Sequence, residues 1–337
     1  MTTVRLGDTP GLKQLRFGED PPLAAPGPGE VLVRVQASSL NFHDYGVAMG
    51  WLPSRPGRIL LSDGAGVVEA VGKDVADLKE GDAVVSCFFP TWQDGEAPVA
   101  DFSLTPGDGL DGYATSRVVR PAQAFTHAPR GMSALEAASL PTAALTAWRA
   151  LVVNGEIKAG DSVLVLGSGG VSVFALQFAR MMGAQVIATS SSDAKLERLR
   201  TLGASHGVNY KQVAEWGAAV RDLTGGRGVD HVVEIGGPGT LAQSIQACRI
   251  GGHIALIGVL TGIAGPVPTA ALMARQQRLQ GVTVGARRHQ LDMVRALDAT
   301  GMKPVIDRTY GLQSLTNAFG HLQSGAHFGK IGVSIDL

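Results

Sequence analysis

Charge of either sign is scarce, and the two signs cancel. The 337 residues include 29 Lys and Arg against 29 Asp and Glu, 17% in all, for a formal net charge of 0. Neither a nucleic-acid backbone nor an anionic membrane surface has an electrostatic handle on such a chain. Cysteine is rarer, with only Cys87 and Cys248. Two thiols cannot build a disulfide framework or a thiolate-rich zinc site. Both stand among apolar residues and read as small core side chains. No hydrophobic run reaches membrane-spanning length, because Arg149 and Arg180 interrupt the helix-like stretches. The opening MTTVRLGDTPGLKQL has no apolar segment of signal-peptide length. There is no internal repeat or low-complexity tract. These absences predict a soluble, cytoplasmic protein without a nucleic-acid or membrane partner.

The chain does have apolar residues (45%) and glycine (45 residues), which suit buried strands and tight turns. Its length favours two domains over one core. The first ~125 residues read as β-rich, with turn signals at intervals of roughly ten residues, as in a small barrel or sandwich. In PGPGEVLVRVQAS, Val31, Val33 and Val35 share one strand face. GAGVVEAVG, GDAVVSCFF and DGYATSRVV are further strands, and the aperiodic stretch 89–112 reads as a surface loop. SALEAASLPTAALTAWRAL is helical in composition. Strands and helices then alternate. Val163–Leu166 leads to a helix over Ser172–Met182, Gln185–Thr189 to a helix over Asp193–Leu202, and GVNY and VDHVVEI to a helix marked by Leu241, Ile245 and Cys248. HIALIGVL and GVTVGA complete a parallel, doubly wound sheet, and KIGVSID is a final strand in a short tail that must pack on a neighbouring domain.

GSGGVS, from Gly167 to Ser172, lies between a predicted strand and a predicted helix, where a dinucleotide-binding loop belongs. Gly167 and Gly169 fit the first two glycine positions, and Ser172 replaces the third. Ser168, Gly169, Gly170 and Val171 are thus candidates to meet the pyrophosphate at the helix N-terminus. An acidic residue on the ribose is expected about 20 residues past the loop. Ser190, Ser191 and Ser192 stand there instead. Ser192 or Asp193 is a good helix N-cap. Lys195 then falls in the first helical turn, where a cation opposes the helix dipole by about 0.3–1 kcal/mol and a phosphate would reverse the sign. Hydroxyls plus a lysine without a carboxylate at Ser190 predict a 2′-phosphate pocket and NADP(H) as cofactor.

At this point the chain resembles the medium-chain dehydrogenase/reductase superfamily over essentially its whole length. PGPGEVLVRVQASSLNFHD, GAGVVEAVG with GDAVV, TAALTAWRAL, VLVLGSGGVSVFALQFA and GGHIALIGVL carry the resemblance, in that order. It implies an α/β fold with a GroES-like β-rich catalytic domain (1–126), a Rossmann NADP-binding domain (127–290) and a C-terminal return to the catalytic domain (291–337). In the zinc members, catalytic zinc is held where this chain resembles them at Asn41, Ser62-Asp63 and Thr142. None of Asn41, Ser62 and Thr142 is a usual zinc ligand, the four-cysteine structural lobe is absent, and His43 is a single imidazole. No metal is therefore expected. The pattern is similar to the zinc-free quinone oxidoreductase branch, whose members reduce quinones or the C=C bond of α,β-unsaturated carbonyls with NADPH and are commonly dimers. The resemblance implies cofactor contacts from Thr146, Lys195, Tyr210, Gly258, Val259, Leu260 and Lys330, and Thr142, Ser190 and Ser191 are further candidate cofactor contacts.

Without zinc, hydrogen bonds must polarise the substrate carbonyl. Asn41 can donate its amide N–H, and Tyr45, on the same loop, reads either as a proton donor or as a packing residue. Asp44 and Asp63 read as loop-fixing carboxylates, and Trp51 as a cleft wall or a surface anchor. The expected function is a zinc-independent, NADPH-dependent reductase of a quinone or enone. A zinc-independent alcohol or aldehyde oxidoreductase and a non-catalytic NADPH-binding protein are the alternatives. GVTVGA, as an exposed sheet edge, predicts a homodimer.

Overall fold

The computed structural model describes residues 2–21, 23–98 and 101–335. It divides into two units, 1–145 with 284–337, and 146–283. The helical stretch up to Leu145 thus belongs with the first unit, so the second begins at 146 where the sequence suggested 127 and ends at 283 where it suggested 290.

The first unit is built on a seven-stranded sheet. Its central strand, Glu30–Ser39, alternates as expected: Val31, Val33 and Val35 are buried, while Leu32, Arg34 and Gln36 are half-buried. Burying each valine contributes on the order of 1.5–3 kcal/mol. Past Ala37 the alternation stops, and Ser38 and Ser39 are both fully buried. The central strand pairs antiparallel with Ala65–Val71, Arg117–Pro121 and the C-terminal strand Lys330–Ser334. In the last pairing Gly332 lies opposite Ser39, so the tail returns to the middle of this sheet and sets Lys330 beside the strand's end. That strand stops at Ser334, and Asp336 lies outside the described residues. The stretch 89–112 is a loop, as its lack of periodicity suggested, but only part of it, including 94–98, is exposed. Phe89, Trp92, Thr105 and Asp108 are buried, and Phe102 packs against Phe88, Phe89 and His43, although 99–100 lie outside the described residues. The helical segment opens on a capping box, with the Glu136 N–H donating to Ser133 Oγ (3.3 Å) and the Ser133 N–H to Glu136 Oε2 (2.7 Å). It then relaxes into π turns, the first at Leu140–Ala144.

The second unit is a six-stranded sheet, parallel throughout, in the order His206–Asn209, Gln185–Ser190, Ser162–Leu166, Val229–Glu234, Cys248–Leu256, Arg278–Gly281. The chain starts at Ser162–Leu166, winds outward one way, then restarts at Val229–Glu234 and winds the other. The strand order reverses between those two strands, and ligands of open α/β sheets bind outside the carboxyl ends of the strands at such a switch point. The helix after the glycine loop spans Gly170–Met181, two residues earlier than expected, with Val173, Phe174, Leu176 and Phe178 buried. Two strand expectations shift. Cys248 starts a strand instead of ending a helix, and the edge strand is Arg278–Gly281, not GVTVGA. Among the described residues no helix is long and apolar enough to cross a membrane.

Candidate functional site

In the first unit, polar residues far apart in sequence converge where the central strand ends. Asn41 caps the short helix Phe42–Ala48, and its backbone N–H donates to Asp44 Oδ2 at 2.8 Å. The other Asp44 oxygen accepts from the Ser62 N–H at 2.8 Å, which ties the helix to the segment that carries Asp63. Leu61, just before it, has φ 71, a left-handed conformation that costs a non-glycine residue about 1–3 kcal/mol and marks a segment held by its surroundings.

Asp63 is fully buried and is the hub. Its Oδ1 accepts from Thr142 Oγ1 at 2.6 Å. Its Oδ2 lies 2.7 Å from Ser39 Oγ, 2.8 Å from Asn41 Nδ2 and 3.4 Å from Lys330 Nζ. Lys330 is only 3% exposed, and its ammonium also donates to Asn41 Oδ1 (2.6 Å) and the Leu40 carbonyl (2.8 Å). Burial pulls the Lys330 pKa down, and the charges of Asp63 and Asp44 oppose that. Burial first, and then the Asp63 charge, pushes Asp44 up to about 6. The structure therefore joins three expected residues, Asn41, Thr142 and Lys330. It gives Lys330 an internal task, with partners for its three protons inside the unit. Asn41 is similarly engaged, its second amide proton directed at Ser62 Oγ at 3.3 Å. Tyr45 is 3% exposed and packs beside Phe42, Trp51 and Phe319. Trp51 is 59% exposed and lies edge-on to it, as a surface anchor.

In the second unit the expected cofactor residues gather at the carboxyl end of the sheet. Gly167 has φ 73, which favours glycine, and Gly169 caps the helix. Ser172 turns its hydroxyl back onto the Leu166 carbonyl at 2.6 Å, so the residue in the third glycine position fastens helix to strand. Ser168 is buried, and Gly170 and Val171 open the helix. Ser190 is buried at the end of its strand, and its carbonyl accepts from the Tyr210 N–H at 3.1 Å, which sets Tyr210 (43% exposed) beside it. Ser192 caps the next helix by accepting from the Lys195 N–H at 3.4 Å, and Ser191 and Lys195 are half-buried. Both oxygens of Asp193 are engaged, by Asn209 Nδ2 (2.7 Å) and Gln212 Nε2 (3.0 Å). Thr146 is buried in the turn that opens this unit. Gly258 is tied to the Glu234 carbonyl, and Val259 and Leu260 are about half exposed beyond it.

Ser39, with its hydroxyl on Asp63, and Glu234, which organises two loops at this end of the sheet, had no part in the sequence reading. For Glu234 the available signal was a lone acid closing an apolar strand just before Gly236-Gly237.

Comparison with known proteins fits both units. Residues 27–130 match the family model of the alcohol dehydrogenase GroES-like domain, and 170–300 that of zinc-binding dehydrogenases. A zinc-type alcohol dehydrogenase-like protein of Schizosaccharomyces pombe is 41% identical over 322 residues, 92% of each chain. A 2-haloacrylate reductase of Burkholderia is 31% identical over 256 residues, 74% of this chain and 71% of its own. Among solved structures, an NAD-dependent alcohol dehydrogenase superposes with a TM-score of 0.90 at 33% identity, over 100% of both chains. A Pseudomonas syringae quinone oxidoreductase gives 0.83 at 26%, over 99% of each chain. A 2-octenoyl-CoA carboxylase reductase, solved with NADP and 2-octenoyl-CoA, gives 0.87 at 26%, over 99% of this chain and 87% of its own. A GroES-like unit joined to a parallel-sheet dinucleotide unit defines an oxidoreductase that uses a nicotinamide cofactor. The chain belongs to the medium-chain dehydrogenase/reductase superfamily.

Proposed function

We propose that this protein is a zinc-independent, NADPH-dependent oxidoreductase that transfers hydride to a quinone or an α,β-unsaturated carbonyl. The observation that carries the reading is the Lys330–Asp63–Asn41–Thr142 network, at the positions where the resemblance puts the metal of the zinc members. The donor set does not fit zinc. It offers amide, hydroxyl and carboxylate oxygens but no thiolate or imidazole, and an ammonium already lies 2.6 Å from Asn41 Oδ1. Among the described residues, no group of three His, Cys, Asp or Glu is placed to hold a metal ion.

The second unit's residues fit a nicotinamide dinucleotide. Gly167–Gly170 and the N-terminus of the following helix would receive its pyrophosphate. Ser190 without an acid, with Lys195 and Tyr210 nearby and Asp193 engaged by two amides, supports a 2′-phosphate and hence NADPH. When bound, that cofactor supplies the hydride. The network's part is to polarise the acceptor carbonyl with neutral donors, as an oxyanion hole does. Asn41 would release its long contact with Ser62 and turn that N–H to the oxygen as negative charge develops. Asp63 and Lys330 meanwhile hold the amide in place.

The alcohol dehydrogenase names among the relatives favour a second reading, a zinc-independent alcohol or aldehyde oxidoreductase. Turnover of quinones, 2-enones and saturated aldehydes with NADPH separates the two. Faster reduction of quinones or enones supports the first, and preferential aldehyde reduction overturns it. We also propose a homodimer, joined along the open edge of the Arg278–Gly281 strand. Light scattering that detects only monomer at micromolar concentration would oppose this.

A further inference from the structure

We infer that Glu234 is a positioning residue for the nicotinamide half of the cofactor. The inference rests on the dinucleotide reading above and assigns a task to a group that reading does not use. A doubly wound sheet binds one mononucleotide on each half. The half with Ser162–Leu166, Gln185–Ser190 and His206–Asn209 carries the glycine loop and the 2′-phosphate candidates. The other half, beginning at Val229–Glu234, is left for the nicotinamide.

Glu234 is the last residue of that strand and is fully buried. Its Oε1 accepts from the N–H groups of Gly236 (2.7 Å) and Gly237 (3.0 Å) and from Thr240 Oγ1 (2.6 Å). Its Oε2 accepts from Ser244 Oγ at 2.5 Å. All four partners are neutral donors. A buried carboxylate is tolerated only when such bonds replace its water, so the loop must fold with its donors inward. Gly237 has φ 87, and a Cβ on Gly236 would come within 2.3 Å of Thr240 Oγ1. The Glu234 carbonyl also accepts from the N–H groups of Ile257 (2.8 Å) and Gly258 (3.2 Å), at the start of the next loop. The two loops are then stapled together. Thr261 donates its N–H and its hydroxyl to the Gly236 carbonyl, each at 2.8 Å, and accepts from the Gly239 N–H at 2.8 Å. The carboxylate thus sets the shape of the first loop, and the second, held by the Glu234 main-chain carbonyl, is reached from it through the Thr261 staple.

Glu234→Gln keeps the volume but removes the charge and replaces one acceptor oxygen with an NH2. The test compares the affinities of NADPH and of adenosine 2′,5′-bisphosphate, which occupies the adenine side alone. NADPH should weaken by about tenfold to a hundredfold, as for loss of hydrogen bonds to a charged group, while the fragment keeps its wild-type affinity. Thr240→Val, which retains the carboxylate and removes one donor, should move NADPH the same way by less, and it carries the test if Glu234→Gln does not fold. Equal weakening of NADPH and fragment in a folded variant, or no weakening of either, overturns the inference. If the wild type prefers NADH, the NADPH reading falls separately, and the same comparison with NADH against ADP decides the role of Glu234.

Discussion

Replacing Lys330 with methionine should destabilise the first unit by about 3–5 kcal/mol, the usual effect of removing one partner from a buried ion pair. The structure says where this comes from. The ammonium is 3% exposed, and its loss leaves the Leu40 carbonyl and Asn41 Oδ1 without their donor. A buried acceptor left unsatisfied costs about 1–3 kcal/mol. Asp63 retains Ser39, Asn41 and Thr142, but it loses its only cationic partner in the network, and Asp44 adds a second buried carboxylate nearby. For a unit of about 200 residues, each kcal/mol moves the melting temperature by about 2–4 °C, so a fall of about 6–20 °C is expected. The informative arm is the double variant with Asp63→Asn. Neutralising the orphaned carboxylate should cost less in the Lys330→Met background than in the wild type, with a coupling of about 0.5–3 kcal/mol. Scanning calorimetry on the four proteins measures this. A single-variant loss below about 1 kcal/mol, or additive losses, would refute the view that Lys330 and Asp63 form one buried unit.

Lys195→Ala should weaken NADPH by about tenfold to a hundredfold and leave NADH nearly unchanged, because only the former has a 2′-phosphate to pair. Fluorescence titration checks this, and equal losses would remove the phosphate assignment. The second unit should lose stability as pH falls from 6.5. His253 is lowered by burial to about 4 and His231 is lowered for the same reason, so the folded state binds fewer protons than the unfolded one across that window. Below about pH 4, Asp161 and Asp230 act with the same sign, since hydrogen bonds from Lys158 and Arg227 respectively lead in holding their pKa values low against burial. His253→Gln should flatten the dependence of thermal stability between pH 6.5 and 4.5 by up to about 1.4 kcal/mol per pH unit. An unchanged slope would show that His253 does not titrate in this range.

The sequence was most legible where its signals are local. Alternation at Val31, Val33 and Val35 marked the core face, and the apolar strands between glycine-ended helices marked the parallel sheet. GVTVGA shows why pattern alone misplaced an edge. Val282 donates to the Leu256 carbonyl as a strand would, but Val284 takes φ 46 and breaks the extended run. Arg278–Gly281 is a strand through main-chain pairing with Cys248–Leu256, and its side chains carry no signature of this. The aromatics of 89–112 have no period because they pack from an irregular backbone. The network around Asp63 was the least legible. Its contacts join Lys330 to Asn41 across 289 residues and Thr142 to Asp63 across 79, distances at which residue type alone assigns no partner. The burial of Lys330 and its bonds to Leu40, Asn41 and Asp63 follow from what its strand pairs with, which no local pattern shows.

The most direct test of the account is the rate of NADPH oxidation with a quinone or a 2-enone as acceptor, measured on protein dialysed against a strong chelator and again after zinc is returned. Under the zinc-independent proposal the rates should be the same, and elemental analysis should find no stoichiometric zinc. Activity lost to the chelator and restored by zinc, at one ion per chain, would contradict the account.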